Sequence, residues 1–268
     1  MKLNKFPISI AAMLVAGSSF GAVTLQDSYS AGASSGAASD LGGGTFGYEF
    51  TLDPGTDFSA AGHDKLVMVV TGHDANVSGT PEIAGVTYNG VALTEAIQDA
   101  DNGAIVTAGI FYLDNVVNDG TLRIELSGTG SNTVHLGYGL YALDGTAAGV
   151  ADTGTARSNA EVVSLNHQVT INTDTGFFVQ EAARNNQSFA ETADDYTTLY
   201  NYNVDSYRGY SQYRLTSAAG SYDAPVGNTG DNFKRIVTAA FEAAPIPEPS
   251  TTALLGLGGL ALILRRRK

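Results

Sequence analysis

The chain has 268 residues, a formal charge of −13, 32 glycines and 13 tyrosines, and neither cysteine nor tryptophan. Between residues 22 and 244 only eight cations face 26 carboxylates, a balance near −18, because the remaining basic residues crowd the two ends. Such a surface excludes a nucleic-acid partner by repulsion, and the missing thiols exclude disulfide and cysteine chemistry.

Residues 1–21 read as a secretory signal peptide. Lys2 and Lys5 supply a positive start, residues 8–15 a short apolar run, and Gly17, Ser18, Ser19 and Gly21 the small side chains that cleavage needs. Cleavage after Gly21 places Ser19 three residues before the cut, whereas cleavage after Ala22 would place the bulky Phe20 there. The expected route is the Sec translocon. Residues 22–44 are expected to form a Gly- and Ser-rich lead-in.

From residue 45 the pattern is that of strands. Phe46, Tyr48, Phe50 and Leu52 alternate onto one face, and residues 66–70 form the continuous apolar run Leu-Val-Met-Val-Val. Asn89-Gly90 between two β-branched runs is the strongest hairpin signal, since both residues accept the positive φ of a type I′ turn. Further strands are expected over residues 104–113, 121–126, 133–143, 161–165, 168–171, 176–181, 197–202, 207–215 and 235–241. About a dozen short strands without intervening helices predict one all-β domain over residues 45–244, a two-sheet antiparallel β-sandwich with jelly-roll or lectin-like connectivity. The hairpin Val86-Thr87-Tyr88-Asn89-Gly90-Val91-Ala92-Leu93-Thr94, the strand ending Phe111-Tyr112-Leu113 and the strand Thr121-Leu122-Arg123-Ile124 resemble uncharacterised bacterial and phage sandwich domains. That resemblance implies a fold and no activity.

The end of the chain has a different character. Prolines 245, 247 and 249 deny the backbone both helix and ladder bonds, so residues 245–250 are expected to be an extended linker. Residues 251–264 hold no charge and no proline. As a helix of about 21 Å they fall short of a hydrocarbon core of about 30 Å. Snorkelling arginines extend that reach, and the lack of a polar face argues against an interfacial helix. Arg265, Arg266, Arg267 and Lys268 then form a cytoplasmic stop, leaving the body on the far side of the membrane.

In motif, apolar run and basic end this tail resembles the PEP-CTERM sorting signal of Gram-negative bacteria, with Pro247, Glu248 and Pro249 in the place of its signature. The resemblance implies recognition and processing by an exosortase. It also implies a membrane-anchored or released protein of the envelope or extracellular matrix, associated with exopolysaccharide and biofilm.

Within the body no catalytic signature stands out. His63 and His73 flank one strand at opposite ends, about 33 Å apart, and read with His135 and His167 as ordinary surface or loop histidines. There is no helical His-Glu-x-x-His and no Gly-x-Ser-x-Gly. The expectation is therefore a non-enzymatic structural protein, with a polysaccharide hydrolase the least favoured alternative. Asp99 and Asp101 open a turn that is a candidate for calcium, as is Asp194-Asp195, but the glycine comes a residue early for a helix-loop-helix calcium site. The main alternative is a carbohydrate-binding module. Tyr196, Tyr200, Tyr202, Tyr207, Tyr210 and Tyr213 crowd one stretch, and Tyr207, Tyr210 and Tyr213 are its candidate glycan contacts.

Overall fold

The computed structural model describes residues 21–35, 39–40, 46–74, 81–99, 105–127, 134–158, 164–185, 195–204, 207–223, 225–227 and 234–246. The body, Phe20–Ala244, is one compact unit. Residues 1–20 of the signal peptide, the sorting motif Pro247-Glu248-Pro249, the apolar run and the basic end all lie outside the described residues. Among the described residues no helix is long and apolar enough to cross a membrane.

The body is all-β and antiparallel, and it has one layer more than expected. The middle sheet has the order β1 (Thr24–Ser35), β10 (Val134–Asp144), β4 (Lys65–Asp74), β8 (Val106–Asp114), β7 (Thr94–Asp99). On one face lies a first outer sheet, β2 (Ser39–Asp40), β3 (Phe46–Leu52), β9 (Leu122–Ser127), β5 (Glu82–Tyr88), β6 (Val91–Ala92). On the other lies a second, β11 (Asp152–Ser158), β19 (Lys234–Glu242), β14 (Gly176–Asn185), β16 (Tyr207–Thr216), β15 (Thr197–Val204). Two small ladders, β12 (Ser164–Leu165) with β18 (Val226–Gly227) and β13 (Gln168–Ile171) with β17 (Gly220–Asp223), cover part of this second sheet's outer face.

The apolar run in β4 follows from its place at the centre of the stack. Leu66, Met68 and Val70 pack toward the first outer sheet with Tyr48, Phe50, Ile124 and Leu140, while Val67 and Val69 pack toward the second with Tyr141, Phe177 and Val237. A strand buried on both faces has no polar side to alternate with. The first outer sheet does have one. In β9, Leu122, Ile124 and Leu126 are buried, and Arg123 faces outward to Glu49 and Glu125 at 2.8 and 2.5 Å. At the β5–β6 turn Asn89 and Gly90 take φ of 48° and 77°, as the hairpin signal predicts.

Residues 24–35, part of the expected lead-in, instead form β1, an edge strand paired with β10 along its whole length. It starts where the body also ends. Gly21 N–H donates to the Ala244 carbonyl at 2.9 Å, Ala244 N–H to the Gly145 carbonyl at 2.8 Å, and Thr175 Oγ1 to the Gly21 carbonyl at 2.9 Å. Gly145, at φ 73°, lies so close to the Ala22 carbonyl that a side chain there would collide with it.

Lys65, at the start of β4, is fully buried. Its ammonium is paired with Asp114, donates to the Gly149 carbonyl at 2.9 Å, and lies 4.8 and 5.3 Å from the ring centres of Tyr112 and Phe241. Asp114 in turn accepts from Gly149 N–H at 2.9 Å. Removing one partner of such a pair strands a charge away from water. Asp114→Ala is expected to lower the unfolding free energy by about 3 kcal/mol, seen as an earlier urea midpoint with an unchanged slope. The double change Lys65→Met, Asp114→Leu is expected to recover most of that loss.

Candidate functional site

Tyr207, Tyr210 and Tyr213, the candidate glycan contacts, do not form one surface. Along β16, alternate residues point to opposite faces. Tyr207 and Tyr213 face the middle sheet, and Tyr210 faces outward beneath Val226 and Leu165 of the small ladder. Tyr207 and Tyr210 are fully buried. The Tyr207 hydroxyl bonds to Thr71, that of Tyr210 donates to Gln212 Oε1 at 3.0 Å, and the half-buried Tyr213 ring packs against Tyr141 and Phe177 at 5.3 and 5.7 Å. The assignment of Tyr207 and Tyr210 as glycan contacts is thus corrected: neither has a face to offer.

Tyr207 belongs instead, with Tyr141 and Tyr200, to a cluster between the middle and second outer sheets that carries polar groups. Its centre is Glu181 on β14, fully buried, to which the Tyr200 hydroxyl donates. Tyr141 and Ser211 share a hydrogen bond of 3.0 Å beside it. Gly137 and Gly209 leave room for the rings: a Cβ on Gly209 would come within 2.6 Å of Thr71 Oγ1 and 3.3 Å of the Tyr200 ring. Burial pushes the Glu181 carboxyl well above the ordinary carboxylate range, against the opposing pull of Tyr200 and Ser211.

The histidines are also placed by register. His73 and His135 are directly paired across β4 and β10, buried, and stacked with Tyr207 at ring-centre distances of 5.3 to 6.5 Å. They are interior residues rather than the surface or loop residues expected. His63 binds the Asp144 carboxylate at 3.1 Å, and His167 sits 3.5 Å from Thr238.

Asp99 is buried at the edge of the middle sheet, with the guanidinium nitrogens of Arg235 and Arg157 at 3.7 and 4.0 Å. Two cations beside this carboxylate oppose a divalent ion there, which removes Asp99 as a calcium ligand; Asp101 and Asp194 lie outside the described residues. Among the described residues no three His, Asp or Glu side chains converge on a metal position. On β14, Arg184 is paired in register with Arg208; burial and that neighbouring charge lower its guanidinium to about 10.

The described surface does contain one groove lined by aromatic and charged groups, with a volume of about 520 Å³. Arg214 of β16 lies between the rings of Tyr196 and Tyr222, 5.6 and 5.4 Å from their centres, and its Nη1 pairs with Asp195 at 3.2 Å. Tyr196 donates to the Asp223 carbonyl at 2.6 Å and Tyr222 to the Ala218 carbonyl at 2.5 Å. Tyr196 and Arg214 fall in the tyrosine-rich stretch, whereas Tyr222, Asp223 and Ser221 come from β17, a short polar strand with no apolar signal in the sequence.

The body is an antiparallel β-sandwich, and in the sequence it is followed by a tail with prolines at 245, 247 and 249. A family model for the PEP-CTERM protein-sorting motif matches residues 245–268, so the chain carries that sorting tail. The motif implies export, membrane-associated sorting and processing by exosortase. Neither a curated protein nor a solved structure matches the chain, so the resemblance of residues 85–144 to bacterial sandwich domains has no counterpart there.

Glu181 yields a pH prediction. In the unfolded chain its carboxyl ionises near the ordinary 4.5; in the fold it holds its proton to higher pH. The unfolded state therefore releases the proton first, so the stability associated with Glu181 is complete below pH 4.5 and declines as pH rises toward the folded value. Glu181→Gln is expected to be more stable than the parent at pH 8 and to match it at pH 4, by urea denaturation at both. Equal stability at both values would remove the buried acid from this role.

Proposed function

We propose that this chain is an exported envelope protein that the Sec machinery delivers, an exosortase processes, and the extracellular matrix retains, with the sandwich acting as a non-catalytic structural body. The observation that carries the reading is the PEP-CTERM motif over residues 245–268, which follows directly on Ala244, the end of the body. Before processing, the apolar run holds the protein in membrane lipid with the basic end cytoplasmic. After processing, the body is anchored anew or released among exopolysaccharide and biofilm components.

Three features support a structural body. The stack buries both faces of its middle sheet, so the interior is packed rather than hollow. Its buried Lys65 is committed to Asp114 and to the Gly149 carbonyl. Its surface is strongly acidic, which keeps such a body soluble and apart from its neighbours.

The reading is tested in the native host. Pro247→Ala together with Glu248→Ala is expected to leave the full-length, unprocessed mass in the membrane fraction, while the parent yields a shorter species that ends beyond Ala244. Unchanged processing of the double variant would sink the assignment. Purified protein is expected to leave the size distribution of the host polysaccharide unchanged; chain shortening would point to a hydrolase.

A further inference from the structure

We infer that the groove around Arg214 is a binding site for an uncharged, hydroxyl-rich saccharide chain. The inference deepens the envelope reading by naming what the body holds, and it relocates sugar contact from the buried tyrosines to Tyr196, Arg214 and Tyr222.

Three observations carry it. First, the groups are fixed before any ligand arrives. The guanidinium is gripped between two rings and by Asp195. Both phenol hydroxyls are tied to backbone carbonyls, and Asn166 Nδ2 holds Asp223 Oδ2 at 3.0 Å. Groups already in place lose little freedom on binding.

Second, the chemistry is mixed in the way a sugar needs. The two rings, whose facing sides hold the guanidinium, leave partly exposed edges as apolar surface for C–H groups. The remaining guanidinium N–H groups donate; the carboxylates of Asp195 and Asp223 accept; the Ser221 hydroxyl does either. A volume of about 520 Å³ is in the range of small-molecule sites.

Third, the charge selects. One guanidinium is set against two carboxylates, on a body near −18. Uronate or phosphate chains are repelled by that balance, and the central cation opposes polyamines. Neutral hydroxyls satisfy both kinds of group at once.

The test uses the full-length chain in a detergent without a sugar headgroup, titrated calorimetrically with uncharged glucan, xylan, mannan and galactan hexaoses and with hexagalacturonate. At least one uncharged hexaose is expected to bind, and hexagalacturonate to bind at least tenfold more weakly. Tyr222→Ala and Arg214→Ala are each expected to weaken binding at least tenfold, and Tyr222→Phe to preserve it. Arg214→Lys keeps the charge and loses the planar fork, so it too is expected to bind weakly in a folded protein. Arg123→Ala, on the first outer sheet, is expected to bind like the parent. Binding by none of the uncharged hexaoses, tighter binding of hexagalacturonate, or parent-like affinity in Arg214→Lys would each overturn the proposal. None of these results depends on how the tail is sorted, so a failure here is separable from a failure of the processing reading.

Discussion

A sheet with no solvent face imposes conditions on everything packed against it. The middle sheet requires apolar side chains on successive residues of β4, β8 and β10, and requires each of its faces to be covered by a separate layer. The first cover comes from strands interleaved with it in the chain: β2 and β3 before β4, β5 and β6 after it, then β9 before β10. The second comes wholly from the later half, β11 to β19. That half depends on a surface the earlier half has already built, and the sorting tail follows immediately.

The same burial explains the interior polar groups. β14 and β19 are covered on both faces, so Glu181, Arg184, Lys234 and Arg235 are enclosed where a two-layer fold would expose at least one side. Burial raises the Glu181 carboxyl and lowers the Lys65 ammonium, the latter against the opposing pull of Asp114. Each outcome reduces the cost of an isolated ion in a low-dielectric interior.

Legibility in the sequence tracked position in the sheet. Strands flanked on both sides, such as β4, β8, β9 and β10, carry strong apolar or alternating patterns and were readable almost to their ends. β1, β7 and β11 lie at sheet edges, where polar side chains are tolerated, and Asp152-Thr-Gly-Thr-Ala-Arg-Ser offers no periodicity to detect. The second cover layer was hidden for a related reason: a sequence shows that β4 is apolar throughout, but not what lies on each side. The site was less legible still. Tyrosine density was visible, yet which rings are buried depends on a two-strand ladder of Leu165 and Val226 far away in the chain. Tyr222 meets Arg214 only through the β13–β17 pairing. The cross-strand meeting of His73 with His135 likewise depends on register.

Ala22 and Ala244 both lie against Gly145, so the polypeptide enters and leaves the sandwich at a common point. Topologically the body is almost a closed ring with one short gap. Bridging that gap and opening the chain at an exposed turn such as Asn89-Gly90 would preserve every sheet, so the order in which the strands are encoded is separable from the architecture they build.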